Sequence, residues 1–109
     1  MARLGFLSVV PTFIAFEANA DMPRYDVKAY CTQLAGLGGT YSEMMYDGCF
    51  QQEQSAYDGL KTQWDALPAR MQDYCDQIAT VGGGGSYMML DGCVQMEKSA
   101  GGTSNEFKY

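Results

Sequence analysis

The chain has 109 residues, of which 47% are hydrophobic, and its formal net charge at pH 7 is −6. Because the charge is acidic and no long basic run occurs, the composition argues against nucleic acids and anionic membranes as partners. The chain has no histidine, so it lacks the most common general base and the most common metal ligand. The composition therefore disfavours nucleic-acid binding and histidine-dependent catalysis.

The first twenty residues have the order of a secretory signal peptide. Basic Arg3 precedes a mostly apolar run from Leu4 to Phe16, and small residues lead up to Ala20. An apolar run of about 13 residues is shorter than the roughly 20 that a membrane-spanning helix needs, and Pro11 interrupts it. We therefore expect cleavage after Ala20 and an exported, periplasmic or secreted chain without stable membrane insertion.

An internal repeat organises the rest of the chain. Residues 30–56 align with residues 74–100 at an offset of 44, and 16 of the 27 aligned positions hold the same residue type. Each copy contains two cysteines with 17 residues between them and a glycine cluster near the midpoint. The predicted divisions are a signal peptide at 1–20, a first helical hairpin at 21–64, a second at 65–102 and a flexible tail at 103–109, with 21–102 as one domain.

The first module is predicted to contain two helices. Apolar residues recur at helical spacing from Val27 to Gly38, and Pro23 suits the first turn of that helix. The glycines at 36–39 end it, because glycine accepts the left-handed conformation of a helix C-terminus. A second helix should begin near Thr40 to Ser42, where Thr40-x-x-Glu43 fits a capping box.

The apolar face of the second helix continues to about Trp64. The dipeptides Asp47-Gly48 and Asp58-Gly59 are turn signals that argue against an unbroken helix. Gly48 could instead allow a neighbouring helix to approach closely beside Cys49. We therefore predict a continuous or slightly kinked helix.

The second module repeats this pattern after a boundary at Asp65 to Pro68, where proline ends one helix and opens the next. A third helix is predicted from Leu67 to Gly82, followed by a glycine turn at 82–85. A fourth helix carries the repeated methionines and fades near Gly101 and Gly102.

The positions of the cysteines select one disulfide pattern from the three that counting allows. Cys31 and Cys49 lie on either side of the first glycine turn, each about two helical turns of roughly 5.4 Å from it. The same symmetry places Cys75 opposite Cys93. We therefore predict the pairs Cys31–Cys49 and Cys75–Cys93. The expected fold is all-α, with two tandem disulfide-stapled hairpins, related by an approximate twofold, in a small four-helix arrangement.

The cysteine spacing disfavours metal and redox chemistry. Zinc sites use cysteines a few residues apart, and thioredoxin-like sites use a two-residue spacing, whereas here 17 residues intervene. Asp47, Asp91, Glu53 and Glu97 lack the alternating oxygen ligands of a calcium loop and fit solvated helix faces. We therefore predict no cofactor and no catalytic residue.

Two pairs of adjacent methionines occupy equivalent repeat positions, namely Met44 with Met45 and Met88 with Met89. Thioethers are soft ligands that suit cuprous copper. Methionine also fills irregular gaps in small helical cores, and neighbours on a helix point about 100° apart. We therefore predict that these side chains fill the core, with copper binding as the alternative.

Tyr57 and Trp64 form the candidate interaction site. Tyrosine and tryptophan are enriched among the residues that dominate binding energy at protein interfaces. In an acidic chain they would give an exposed, aromatic face suited to another protein.

One pattern spans nearly all of the expected mature chain: Tyr25-Asp26-Val27-Lys28-x-Tyr30-Cys31, then Gly38-Gly39-x-Tyr41, then Gly48-Cys49-x-x-Gln52-Glu53. It resembles a group of small uncharacterised exported bacterial proteins with cysteine-stapled helical repeats. The resemblance implies an exported, disulfide-containing helical protein and carries no site residues across.

Together, these features predict a non-enzymatic exported protein that serves as a structural or protein-interaction module, with another protein as its partner. Two alternatives stay open. One is copper binding by methionines, and the other is a holdase that exposes apolar helix faces under stress.

Overall fold

The computed structural model describes residues 21–101 and 107–109. The predicted signal peptide at 1–20 and residues 102–106 of the predicted tail lie outside this part of the chain. Within the described residues the fold is all-helical, as predicted, and has no strand. Its elements are α1 (Val27–Ala35), α2 (Glu43–Lys61), a short 3-10 helix (Trp64–Ala66), α3 (Ala69–Ala79) and α4 (Tyr87–Gly101).

The first helix begins later than the sequence predicted. Asp26 is its N-cap, and the carboxylate accepts a hydrogen bond of 3.0 Å from the Ala29 N–H. An aspartate in this position pairs one of the helix N–H groups that have no partner within the helix. Pro23 therefore lies before the helix, in a segment that packs against the second hairpin as described below.

Helix α2 is continuous through both Asp-Gly pairs. Its N-cap is Ser42, whose hydroxyl accepts a hydrogen bond of 3.1 Å from the Met45 N–H, so the capping box expected at Thr40 is wrong by two residues. A Cβ added at Gly48 would meet no atom within 4 Å. Close approach of a neighbouring helix therefore does not explain this glycine.

Both predicted disulfides are confirmed, and all four cysteines are oxidised. The first disulfide, Cys31–Cys49, joins α1 to α2 with Cα atoms 5.6 Å apart. The second disulfide, Cys75–Cys93, joins α3 to α4 at 5.5 Å. Each hairpin thus carries its own covalent bridge, an arrangement that fits an oxidising compartment.

The two hairpins join through α2 and α4, which run in the same direction. Glu53 of α2 contacts Tyr87 of α4. Gln63, ten residues after Glu53, contacts Lys98, eleven residues after Tyr87. A twofold axis parallel to the helices would place Glu53 level with its repeat equivalent, Glu97, whereas Glu53 lies level with Tyr87. A twofold axis perpendicular to the helices would make them antiparallel. The predicted twofold is therefore wrong. The repeat equivalent of Glu53 is Glu97, so α4 is shifted along α2 by ten residues, or about 15 Å.

The main core lies between the second half of α2 and the second hairpin, because the shift brings these parts together. Partly buried residues of the N-terminal segment and of α2 pack around it, among them Met22, Tyr25 and Ala56. The fully buried members of this core are Leu60, Trp64, Leu67, Cys75, Ala79, Tyr87, Leu90 and Val94. The tip of the first hairpin contributes none of them.

Candidate interaction surface

One stripe of side chains runs along α2 and faces the side on which α4 packs. Its members recur at intervals of four, three, four and three residues, which keeps them on one face of a helix. They are Tyr46, Phe50, Glu53, Tyr57 and Leu60. Because α4 begins opposite Glu53, it covers only the second half of this α2 stripe. The first half, which contains Tyr46 and Phe50, extends beyond the N-terminus of α4.

Glu53 marks the point where coverage begins. Its carboxylate accepts hydrogen bonds of 2.6 Å from both the Ser86 hydroxyl and the Tyr87 N–H, with a longer contact of 3.5 Å to the Met88 N–H. These groups form the N-terminus of α4, where the helix dipole also favours a negative charge.

The prediction that Glu53 lies on a solvated face is wrong, because its side chain is only 1% exposed. Ser86 is equally buried. This hydroxyl–carboxylate pair therefore caps a helix and is closed to substrates.

A cluster of three tyrosines fixes the N-terminal segment to the same end of α4. The Tyr87 ring lies 4.6 Å from the Tyr25 ring and 4.9 Å from the Tyr57 ring, measured between centroids. The Tyr87 hydroxyl donates to the Pro23 carbonyl at 2.7 Å and accepts from the Tyr25 N–H at 2.9 Å. The segment before α1 is thus a packed part of the fold.

The Tyr25 hydroxyl donates a hydrogen bond of 2.6 Å to an Asp76 carboxylate oxygen, linking the segment to α3. Burial and this hydrogen bond raise the pKa of Tyr25 above its ordinary value, and burial also raises the pKa of Tyr87. Both rings are therefore held in the neutral form.

Of the two predicted interaction residues, Trp64 is placed in the core. It is 3% exposed and packs with Leu60 and Leu67, so its part in an exposed surface is wrong. The 3-10 turn after α2 directs the indole inward. Tyr57 is half-buried between Tyr87 and the Lys61 side chain, whose amino group lies 5.7 Å from the ring centroid.

A group of neighbouring exposed aromatic residues lies instead at the first half of the α2 stripe. Phe50 is 41% exposed, and its ring stacks at 6.3 Å on the ring of half-buried Tyr46. Exposed Tyr41, in the turn before α2, lies 6.5 Å from Tyr46. We call Tyr41, Tyr46 and Phe50 the aromatic tip. The sequence prediction missed it, although the regular spacing of the α2 stripe was a signal that could have revealed it.

The charged residues close to the aromatic tip in the sequence are all acidic. The sequence holds no lysine or arginine between Lys28 and Lys61, whereas Glu43, Asp47 and Asp58 are exposed on α2. The single basic residue of α2, Lys61, lies in its last turn. The acidic charges near the tip therefore produce a local field that favours a cationic partner and repels an anionic one.

A groove of about 290 Å³ lies where the aromatic tip meets the covered half of the α2 stripe. Tyr87 forms part of its wall, and Phe50 and Tyr57 line it from α2. The remaining lining comes from Arg24, Tyr25, Val27, Glu53 and Gln54. Four of these eight lining residues are aromatic, so the groove is suited to apolar side chains of a partner that lies along α2.

The paired methionines do not fill the core. Met44, Met45, Met88 and Met89 are between 42% and 82% exposed, so the core-filling prediction is wrong for these four. Among the described residues, no group of three or more His, Cys, Asp or Glu side chains is placed to hold a metal ion.

Within residues 21–101 and 107–109, no helix is both long and apolar enough to cross a membrane. Comparisons of the chain with protein families, with curated proteins and with solved structures gave no match.

Proposed function

We propose that this protein is a non-enzymatic, exported interaction module that binds another protein through the aromatic tip and the acidic side chains beside it. Export is part of the proposal, supported by the signal-like order of residues 1–20 and by the two disulfides, which fit an oxidising compartment.

The observation that carries the proposal is the exposure of Phe50 beside Tyr46 and Tyr41 on a rigid helix. Aromatic side chains present a large apolar area and lose little conformational entropy on binding, which is why they dominate many interfaces. The first disulfide fixes α2 to α1 at Cys49, one residue before Phe50. The tip is therefore held in place before a partner arrives.

A photo-crosslinking amino acid at position 50 tests this proposal in cells that export the full chain. We expect one saturable adduct that excess wild-type chain suppresses and excess Phe50→Asp chain does not. Val81 is the matched control, because it is an apolar residue 78% exposed in the turn of the second hairpin. Equal adducts at positions 50 and 81, or none at position 50, would refute the proposal.

Soft-metal binding is a second candidate, favoured by the accessibility of the methionines. Met89 and Met96, seven residues apart on α4, line one groove together with Cys93 of the second disulfide. Near-stoichiometric cuprous copper should then shift the methyl NMR signals of Met89 and Met96, or those of Met44, Met45 and Met88. Unchanged methyl signals would exclude this candidate.

A further inference from the structure

We infer that the partner of the aromatic tip is a cationic amphipathic α-helix that lies along the first half of α2, in line with α4. This inference rests on the proposed function and specifies the chemistry of the partner.

The repeat shows which kind of element fits the tip. Tyr46 and Phe50 align with Leu90 and Val94, and both of those α4 residues are fully buried against the second half of α2 and Trp64. In the second hairpin, this face of the repeated helix is therefore covered by α2 of the first hairpin. In the first hairpin, the aligned residues Tyr46 and Phe50 are half-buried and exposed, and both are aromatic.

The uncovered surface also continues an interface that already exists. Tyr46 and Phe50 extend the same stripe whose second half, from Glu53 to Leu60, packs against α4. A helix laid on the tip would therefore lie along α2 and meet a groove that Tyr87 and Tyr25 also line.

The charge of the partner follows from the side chains around the tip. Exposed Glu43 and Asp47 flank Tyr46, and no lysine or arginine lies between residues 28 and 61. Arg24, which precedes α1, is the single basic residue that lines the groove next to the tip. Lysine or arginine beside the apolar face of an incoming helix would pair with these carboxylates. A second copy would bring the same acidic groups together, and like charges at an interface are repulsive.

The probe for this inference is a synthetic 18-residue peptide of leucine and lysine with helical amphipathic spacing. Two comparison peptides carry glutamate in place of lysine, or the same composition without a continuous apolar face. Each is titrated into the ¹⁵N-labelled exported chain with its disulfides intact, while backbone amide shifts are followed by NMR. We expect the lysine peptide alone to shift amides around Tyr46, Phe50 and Tyr57.

Three variants locate the interaction. Phe50→Asp should weaken binding of the lysine peptide by about tenfold or more, as expected for an aromatic residue at the centre of an interface. Asp47→Lys should weaken the lysine peptide and strengthen the glutamate peptide. Val81→Asp changes an equally apolar, exposed side chain away from α2 and should leave both affinities unchanged.

Absence of shifts, shifts centred on other residues, or equal affinity for all three peptides would overturn the inference. Amide shifts at the tip that change with protein concentration, in the absence of peptide, would also overturn the inference. They would indicate that a second copy of the chain binds the tip. A position-specific crosslink at Phe50 combined with no peptide binding would keep the proposed function and reject the cationic helix. Loss of both signals would reject the two together.

Discussion

Removal of the Glu53 carboxylate should destabilise the packing of α4 against α2, because this buried side chain holds the N-terminus of α4. Glu53→Ala leaves the Ser86 hydroxyl and the Tyr87 N–H without their acceptor, in a site where the glutamate was 1% exposed. Each unpaired buried donor costs about 1–3 kcal/mol. The alanine also removes a buried charge, which offsets part of this loss.

We therefore expect the free energy of unfolding to fall by about 3 kcal/mol in Glu53→Ala. Glu53→Gln keeps one acceptor oxygen for the Tyr87 N–H and should lose about 1–2 kcal/mol, because the charge-assisted bonds weaken. The assay is urea unfolding at pH 7 with disulfides oxidised, followed by circular dichroism and by fluorescence of Trp64, the only tryptophan of the chain.

Glu97→Ala is the matched control, since Glu97 is the repeat equivalent of Glu53 and is only half-buried. It should change stability by about 0.5 kcal/mol or less. A Glu53→Ala variant whose unfolding free energy matches that of Glu97→Ala would refute the assignment of Glu53 as the cap of α4.

Three further predictions concern stability. Replacing either disulfide by two alanines should lower the free energy of unfolding by about 3 kcal/mol, because the unfolded chain gains loop entropy. Loss of the second disulfide should be more costly than loss of the first, because Cys75 lies in the main core. Equal urea midpoints for the two variants would contradict this difference. Gly85→Ala should cost about 2 kcal/mol or more, since its φ is +97° and an added Cβ would lie 2.5 Å from the Tyr25 ring. Gly84→Ala meets neither obstacle and should leave the urea midpoint unchanged or slightly higher. Stability should also fall as pH rises above about 10, because unfolded tyrosines lose protons there while the raised pKa of Tyr25 keeps its proton in the folded state. Urea midpoints between pH 8 and 11 should fall less steeply in Tyr25→Phe, and parallel declines would contradict the role of its burial and of its hydrogen bond to Asp76.

The arrangement within each hairpin could be predicted from the sequence because it depends on local spacing. Cys31 and Cys49 lie at matched distances from one turn, so two antiparallel helices place them opposite each other. The continuity of α2 through Gly48 followed from the apolar period, which outweighed the local turn signal.

The arrangement between hairpins could not be predicted in this way, because it depends on a shift of ten residues that no local pattern encodes. That shift buries Glu53 and Trp64 and leaves Phe50 exposed, although the α2 residues Phe50 and Glu53 share one helical stripe. A glutamate at such a position resembles a surface residue until the helix end that it caps is known. The paired methionines show the opposite case. Their apolar side chains were predicted to lie in the core, but they are exposed.

A partner should cover the aromatic tip when the protein is in its native surroundings. Hydroxyl-radical footprinting of the exported fraction, compared with the purified full chain, measures this coverage directly. We predict that Tyr46 and Phe50 are modified much less in the exported fraction, while Tyr74 and Val81, both exposed on the second hairpin, are modified equally in the two samples. Equal modification of Phe50 in both samples would contradict the claim.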